Sequence, residues 1–268
     1  MQLLPLLDTI RILAAFLSLA YGALLDIRTR EVSDWVWVAM GAAGAILTSL
    51  TYALGFYRES WLIILVSIGI ITSLASALFY VGLYGGADAK ALIALSLALP
   101  IPPTSLQPLI ETIIPIFPTS VLLNGVLFSV LTIPYMTLRN IRWKVQNRRK
   151  LFEGLEREPI LKKAATILSS AKYTTSELKK RKFYDIVENV EETPTGISRH
   201  LKLMARVKDV EEPIDLDKLD SLLTRSGYSR ELWITPQLPM LVFILAGFVS
   251  ALVLGDLITG LLTTLIIR

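Results

Sequence analysis

The sequence predicts an all-α polytopic membrane protein of six transmembrane helices, with a small α+β cytoplasmic domain inserted before the last helix. Three observations predict it. The 268 residues are 53% hydrophobic and their mean hydropathy is +0.56, above the range of a soluble domain. Several uncharged runs reach the ~20 residues that a helix needs to cross a bilayer. Charge is also segregated, for residues 139–232 hold 21 of the 27 Lys and Arg and 15 of the 23 Asp and Glu.

The first apolar segment, Leu3 to Leu25, is interrupted only by Asp8 and Arg11, which at i,i+3 on a helix can pair. Ala20 and Gly22 also offer the small residues of a cleaved signal peptide. The acid beside Arg11 and the lack of an extended exported domain favour a retained helix. Trp35 to Tyr57, Ser60 to Tyr84, Thr112 to Leu138 and Leu232 to Gly255 carry no charge and read as further spans. Ala89 to Ile110 is apolar but contains Pro100, Pro102, Pro103 and Pro108, so its second half is not regular helix. The resulting division is 1–138 for the first five helices, 139–232 for the soluble domain and 233–268 for the last helix.

Orientation follows from charge. The stretch RNIRWKVQNRRK, residues 139–150, has six basic residues and no acid directly after an apolar run. Such clusters mark the cytoplasmic side, and they also attract anionic headgroups. With the domain inside, counting back through the spans puts the loops at 85–90 and 26–34 inside and both chain ends outside. The expected partners are the lipid bilayer and a protein substrate, not nucleic acid. The chain has no cysteine, which removes disulfides and thiolate metal sites; no metal or cofactor is expected.

Two inside loops carry the carboxylates that matter. Asp34 follows Ser33 just ahead of a helix and reads as an N-cap. Asp26 closes the first apolar run, at a helix C-terminus where the macrodipole disfavours an anion. Pairing with Arg28 or Arg30 would be its structural role. Asp88, in Gly85-Gly86-Ala87-Asp88, follows a run with no charge since Glu59, and after Lys90 the chain is uncharged again as far as Glu111. It suits the first turn of the next helix, yet ionisable residues at membrane depth also read as functional. Two aspartates on one membrane face meet the requirement of a dyad that shares one proton. One carboxylate activates a water while the protonated partner hydrogen-bonds the scissile carbonyl. The sole histidine, His200, falls in the soluble domain and is assigned no role.

At these residues the chain resembles the type IV prepilin peptidases, and within them the archaeal preflagellin or archaeal-pilin peptidases, the class III signal peptidases of GxGD type. DIRTREVSDWV (26–36) resembles the first family motif and GGADAK (85–90) the second, with Ala87 in place of a glycine. LWITPQLPM (232–240) resembles the family's approach to its last span. The resemblance implies Asp26 and Asp88 as the catalytic pair, with Gly85 and Gly86 supporting the second. It implies as substrates prepilin-like or preflagellin proteins, whose short basic leaders are cut at the cytoplasmic membrane face. A chain without cysteine lacks the zinc loop of bacterial members, so proteolysis alone is the implied activity. Two other readings stay open. A presenilin-like intramembrane protease shares the chemistry, although its first motif has Tyr before Asp and here Leu25 precedes Asp26. A non-enzymatic transporter would use the same carboxylates as an ion relay.

Within the soluble domain, 158–171 and 216–227 have helical spacing, the second ending at Gly227. Residues 179–190 and 200–210 alternate as strands about a turn at Thr193-Pro194-Thr195-Gly196.

Overall fold

A computed structural model describes residues 3–57, 60–110, 114–193, 196–202, 215–225 and 230–266. The chain forms two compact units, Met1–Val130 with Pro239–Arg268, and Leu131–Leu238.

The first unit is helical: α1 (Leu3–Arg28), α2 (Asp34–Ala53), α3 (Trp61–Tyr80), α4 (Gly86–Ala98), α5 (Phe117–Val130), α10 (Met240–Val253) and α11 (Leu257–Ile266). Its centre is α4, where Ala91, Leu92 and Leu95 are fully buried, as is Leu99 at its C-cap. By contrast, Leu13, Leu17, Ile46, Leu62 and Leu65 on the outer helices are exposed, as expected of faces turned to lipid. Small residues set the close approaches. A Cβ on Gly44 of α2 would lie 2.4 Å from Ala98 Cα of α4, and one on Gly247 of α10 would lie 2.3 Å from the Val121 carbonyl of α5.

Among the described residues, four helical stretches are long and apolar enough to cross a membrane: α1, α2, α3 and Phe117–Asn147. The other two anticipated spans form shorter helices. α4 has 13 residues and ends at Ala98, two before Pro100; α10 has 14. At ~1.5 Å per residue each extends about 20 Å, short of a ~30 Å hydrocarbon core. The run from Leu232 was expected to open the last span, but Glu231–Pro236 is strand β5 and the helix starts at Met240. The cause is register: Leu232, Trp233 and Ile234 are buried as strand residues paired on both sides.

The helix also breaks after Val253, at Gly255, whose φ of +89° suits glycine. Asn124 holds this break. Its Nδ2 donates to the Gly255 carbonyl (2.8 Å) and its Oδ1 accepts from Leu257 N–H (3.0 Å). Asp256 caps α11 by accepting from Thr259 N–H at 3.1 Å and is fully buried.

The second unit contains α6 (Thr132–Asn147), α7 (Ile160–Ser169), β1 (Ala171–Thr174), α8 (Thr175–Leu178), β2 (Tyr184–Ile186), β3 (Glu188–Thr193), β4 (Gly196–Leu201), α9 (Leu216–Arg225) and β5. Both anticipated helices form. The strands differ in detail. β5 is the centre of an antiparallel sheet of order β1-β5-β2, and β3 pairs with β4 as a hairpin. The anticipated 179–190 strand is divided into β2 and the start of β3, and residues 179–182 lie between α8 and β2. Of the anticipated 200–210 strand and the Pro194-Thr195 turn, only His200–Lys202 fall among the described residues, as does Thr193 paired with Gly196. Gly227 also lies outside them. Ala171, Tyr173, Ile186, Leu223, Leu232 and Ile234 form one core, and Val187, Leu201 and Trp233 another. Buried Glu188 ties hairpin to sheet, accepting from Arg199 Nε at 2.9 Å and Trp233 N–H at 2.7 Å.

Candidate active site

Asp26 lies in the last turn of α1 and Asp88 in the first turn of α4. Although 62 positions apart, they lie near enough for the charge of Asp26 to bear on Asp88, and the Arg30 guanidinium acts on both.

The chain reaches Asp88 through a tight stop. α3 ends in a Schellman arrangement: Gly82, at φ +79°, donates to the Phe79 carbonyl and Leu83 donates to that of Leu78. Gly85 then caps α4, and its N–H donates to Asp88 Oδ2 at 2.9 Å. This is the first-turn role anticipated for Asp88. It uses one oxygen only. Oδ1 makes no hydrogen bond with any described residue and is not sealed from solvent. Tyr84, itself buried, stands close enough to Asp88 to sense its charge.

The glycines act differently from each other. Gly85 has φ −73°, open to any residue. It matters because a Cβ there would lie 3.1 Å from Asp88 Oδ2. Gly86 is helical and a Cβ would meet only Phe79 Cε2, at an ordinary 3.6 Å.

Asp26 offsets its unfavourable helix end by borrowing another. Its Oδ2 accepts from Leu241 N–H (3.2 Å), in the first turn of α10, where the dipole favours an anion. Its Oδ1 faces Arg30 Nη1 at 3.3 Å. Arg30 takes the left-handed conformation, φ +60°, just past α1, which turns the chain and returns its side chain to Asp26. The anticipated pairing with an arginine is therefore present, through Arg30. Sequence reasoning did not find the Leu241 amide. Its signal is Pro239, which starts α10 two residues earlier.

Asp34 is not part of this pair. Ser33 is the N-cap of α2 and Asp34 its first helical residue; the Asp34 carboxylate holds Lys90 at 2.6 Å instead. In the second unit, His200 is less isolated than expected, with Nε2 2.8 Å from Ser198 Oγ and Nδ1 3.2 Å from Glu158 Oε1. This order matches a Ser-His-acid array, but the ring is 65% exposed. Glu158 is also engaged by Lys162 and Leu201 N–H. Nucleophilic catalysis needs oxyanion donors in a water-excluded site, and a ring this wet does not provide one.

Residues 13–134 match the Type IV leader peptidase family and residues 162–257 match Archaeal Peptidase A24 C-terminus Type II. The chain is 29% identical to a preflagellin peptidase of Methanococcus voltae, over 92% of this chain and 95% of that protein. It is 27% identical to a preflagellin peptidase of Methanocaldococcus jannaschii, over 94% and 97%. A third, from Methanococcus maripaludis, is 23% identical over 92% and 95%. Together these matches reach into both units: the chain is similar to the type IV leader peptidase family in the first, to the archaeal peptidase A24 C-terminus in the second, and to archaeal preflagellin peptidases over nearly its whole length.

Proposed function

We propose that this chain is an aspartic endopeptidase that removes the short basic leader of prepilin-like proteins, archaellins and archaeal pilins, at the cytoplasmic membrane face. Asp26 and Asp88 are its catalytic pair. The observation that carries the reading is that these two carboxylates, one at the end of α1 and one at the start of α4, lie within each other's field, with an Asp88 oxygen left open. The name of the relatives, preflagellin peptidase, supports the substrate class.

In this mechanism the pair holds one proton between its carboxylates. The ionised member takes a proton from water as the oxygen attacks the scissile carbonyl, and the protonated member donates to the carbonyl oxygen. The tetrahedral diol collapses as the proton passes to the departing amine, and the new carboxyl keeps one oxygen from water. No acyl-enzyme forms. The N-terminal turns of α4 and α10 hold the two carboxylates in position.

The test uses detergent-solubilised protein and a peptide with a basic leader joined to an apolar segment. The expected result is one cut at the junction, with one labelled oxygen from heavy-oxygen water in the new carboxyl and no acyl transfer to added hydroxylamine. Hydroxamate formation would overturn the aspartic mechanism. The membrane face is tested separately, since the chain has no native cysteine. Cysteines at Ser33 and Lys90 are expected to label only from the cytoplasmic side and one at Ser60 only from outside. Labelling of 33 and 90 from opposite sides would separate the two aspartates.

A further inference from the structure

The second unit contains a cavity of about 540 Å³ between α6 and the β1–β5 edge of the sheet, with an unusual lining. Tyr135, Leu138 and Arg142 border it, all exposed; Arg139 and Trp143 are half-buried, and Lys172 lies deeper. Lys172 is 4% exposed. Its ammonium lies over the faces of Trp143 (4.3 Å) and Trp233 (5.8 Å) and makes no hydrogen bond or ion pair with any described residue. Burial pushes the Lys172 pKa down, against the more distant pull of Glu231 and Glu188. A buried ammonium held only by ring faces lacks a counter-anion.

The two acids on the same wall are already engaged. Glu231 accepts from Trp143 Nε1 at 2.9 Å. Glu177 accepts from Thr174 N–H at 2.9 Å in the cap of α8. On the cationic side, Arg139 stacks on Tyr173 at 3.9 Å, while Arg142 makes no hydrogen bond or ion pair with a described residue. A guanidinium and an ammonium with unused donors therefore face one cavity.

We propose that this cavity binds a phosphate group, that of an anionic lipid headgroup, with Lys172 and Arg142 as its principal donors. Phosphate offers the acceptor oxygens that ammonium and guanidinium groups satisfy. A lipid is favoured over a free anion because α6 belongs to an apolar stretch long enough to cross a membrane, Phe117–Asn147. The border residues Tyr135 and Leu138 also give the cavity an apolar lip. The inference is independent of the proteolytic reading, and its readout is lipid retention, not cleavage.

The test is native mass spectrometry of the full chain, released from nanodiscs of equal phosphatidylglycerol and phosphatidylcholine. Wild type is expected to retain phosphatidylglycerol preferentially. Lys172→Met and Arg142→Gln should each reduce that retention about tenfold or more, the scale of a lost charge-assisted hydrogen bond. Arg149→Gln, outside the cavity, should reduce it by no more than about fivefold, the scale of one basic residue near a membrane surface. Because Arg142 is exposed, its variant folds whether or not Lys172→Met does. Equal losses in all three variants would mean diffuse attraction to the surface and overturn the site. So would equal retention of the two lipids by wild type. Inorganic phosphate at millimolar concentration should not strip the bound lipid; if it does, the site belongs to the free anion and the lipid assignment falls.

Discussion

The first unit contains two carboxylate sites of opposite design. Asp8 is fully buried and saturated. Its Oδ1 pairs with Arg11 and accepts from the Tyr57 hydroxyl at 3.0 Å. Its Oδ2 accepts from Thr104 N–H (3.0 Å), Thr104 Oγ1 (3.1 Å) and Ser105 N–H (3.3 Å). That site joins α1, the turn after α2 and the proline-containing segment after α4. Asp26 and Asp88 have three partners between them, two of them longer than 3.1 Å, and one oxygen with none. A carboxylate with every lone pair engaged serves structure; one kept in the first turn of a helix with capacity in reserve is available for chemistry. Burial alone does not separate the two, since Asp88 is 7% exposed.

The largest expected effect tests the reactive side of this comparison. Asp26→Asn and Asp88→Asn should each lower peptide cleavage by more than ~100-fold, the scale of lost acid–base catalysis. Both proteins should stay folded and membrane-inserted. The double variant should be no slower than either single one, because the pair works as a unit. A single variant that keeps substantial turnover would remove the dyad.

Asp8→Asn should do the reverse. It leaves the Arg11 charge buried without its anion, a loss of about 3–5 kcal/mol when one member of a buried pair is removed. A thermal melt in detergent should therefore show a lower Tm, while turnover per folded molecule is retained. Lost turnover at unchanged Tm would make Asp8 part of the chemistry and erase the contrast.

Gly85→Ala should have an intermediate effect. The added methyl stands 3.1 Å from Asp88 Oδ2, so the carboxylate or the cap must give by a few tenths of an ångström. Cleavage should fall a few-fold, well short of the ~100-fold that a full ångström costs. Gly86→Ala meets open packing and favours helix; it should be silent. Equal losses at 85 and 86 would show that backbone freedom matters and not the space beside Asp88.

Much of this was legible in the sequence, for identifiable reasons. Long apolar runs and the basic stretch at 139–150 are strong local signals, and the helical stretches follow them. Asp26 and Asp88 stood out because each is an acid next to long apolar runs. What the sequence left out is tertiary. Asp26 is stabilised by the amide of Leu241, 215 positions away, and no local pattern announces a borrowed helix terminus. Asn124 sits within an apolar run and reads as incidental until the break at Gly255 needs its amide. Leu232–Ile234 misled because a central strand and a membrane span share an unbroken apolar pattern. The partners of β5, in β1 and β2, settled that ambiguity.

The smallest expected effect is the sharpest check on which of these carboxylates matter. Asp34 stands across the α1–α2 turn from Asp26, eight positions on, so a reading from the sequence motif alone could choose either. Its side chain is 67% exposed and pairs with Lys90, itself 48% exposed. Pairs this open contribute about 0–1 kcal/mol, and asparagine is tolerated at a helix start nearly as well as aspartate. Asp34→Asn should therefore leave both Tm and cleavage within about twofold of wild type. The measurement is a cleavage time course beside Asp26→Asn under the same conditions. If Asp34→Asn abolishes cleavage and Asp26→Asn does not, the catalytic pair is Asp34 with Asp88, and the Leu241 amide and Arg30 hold a purely structural carboxylate.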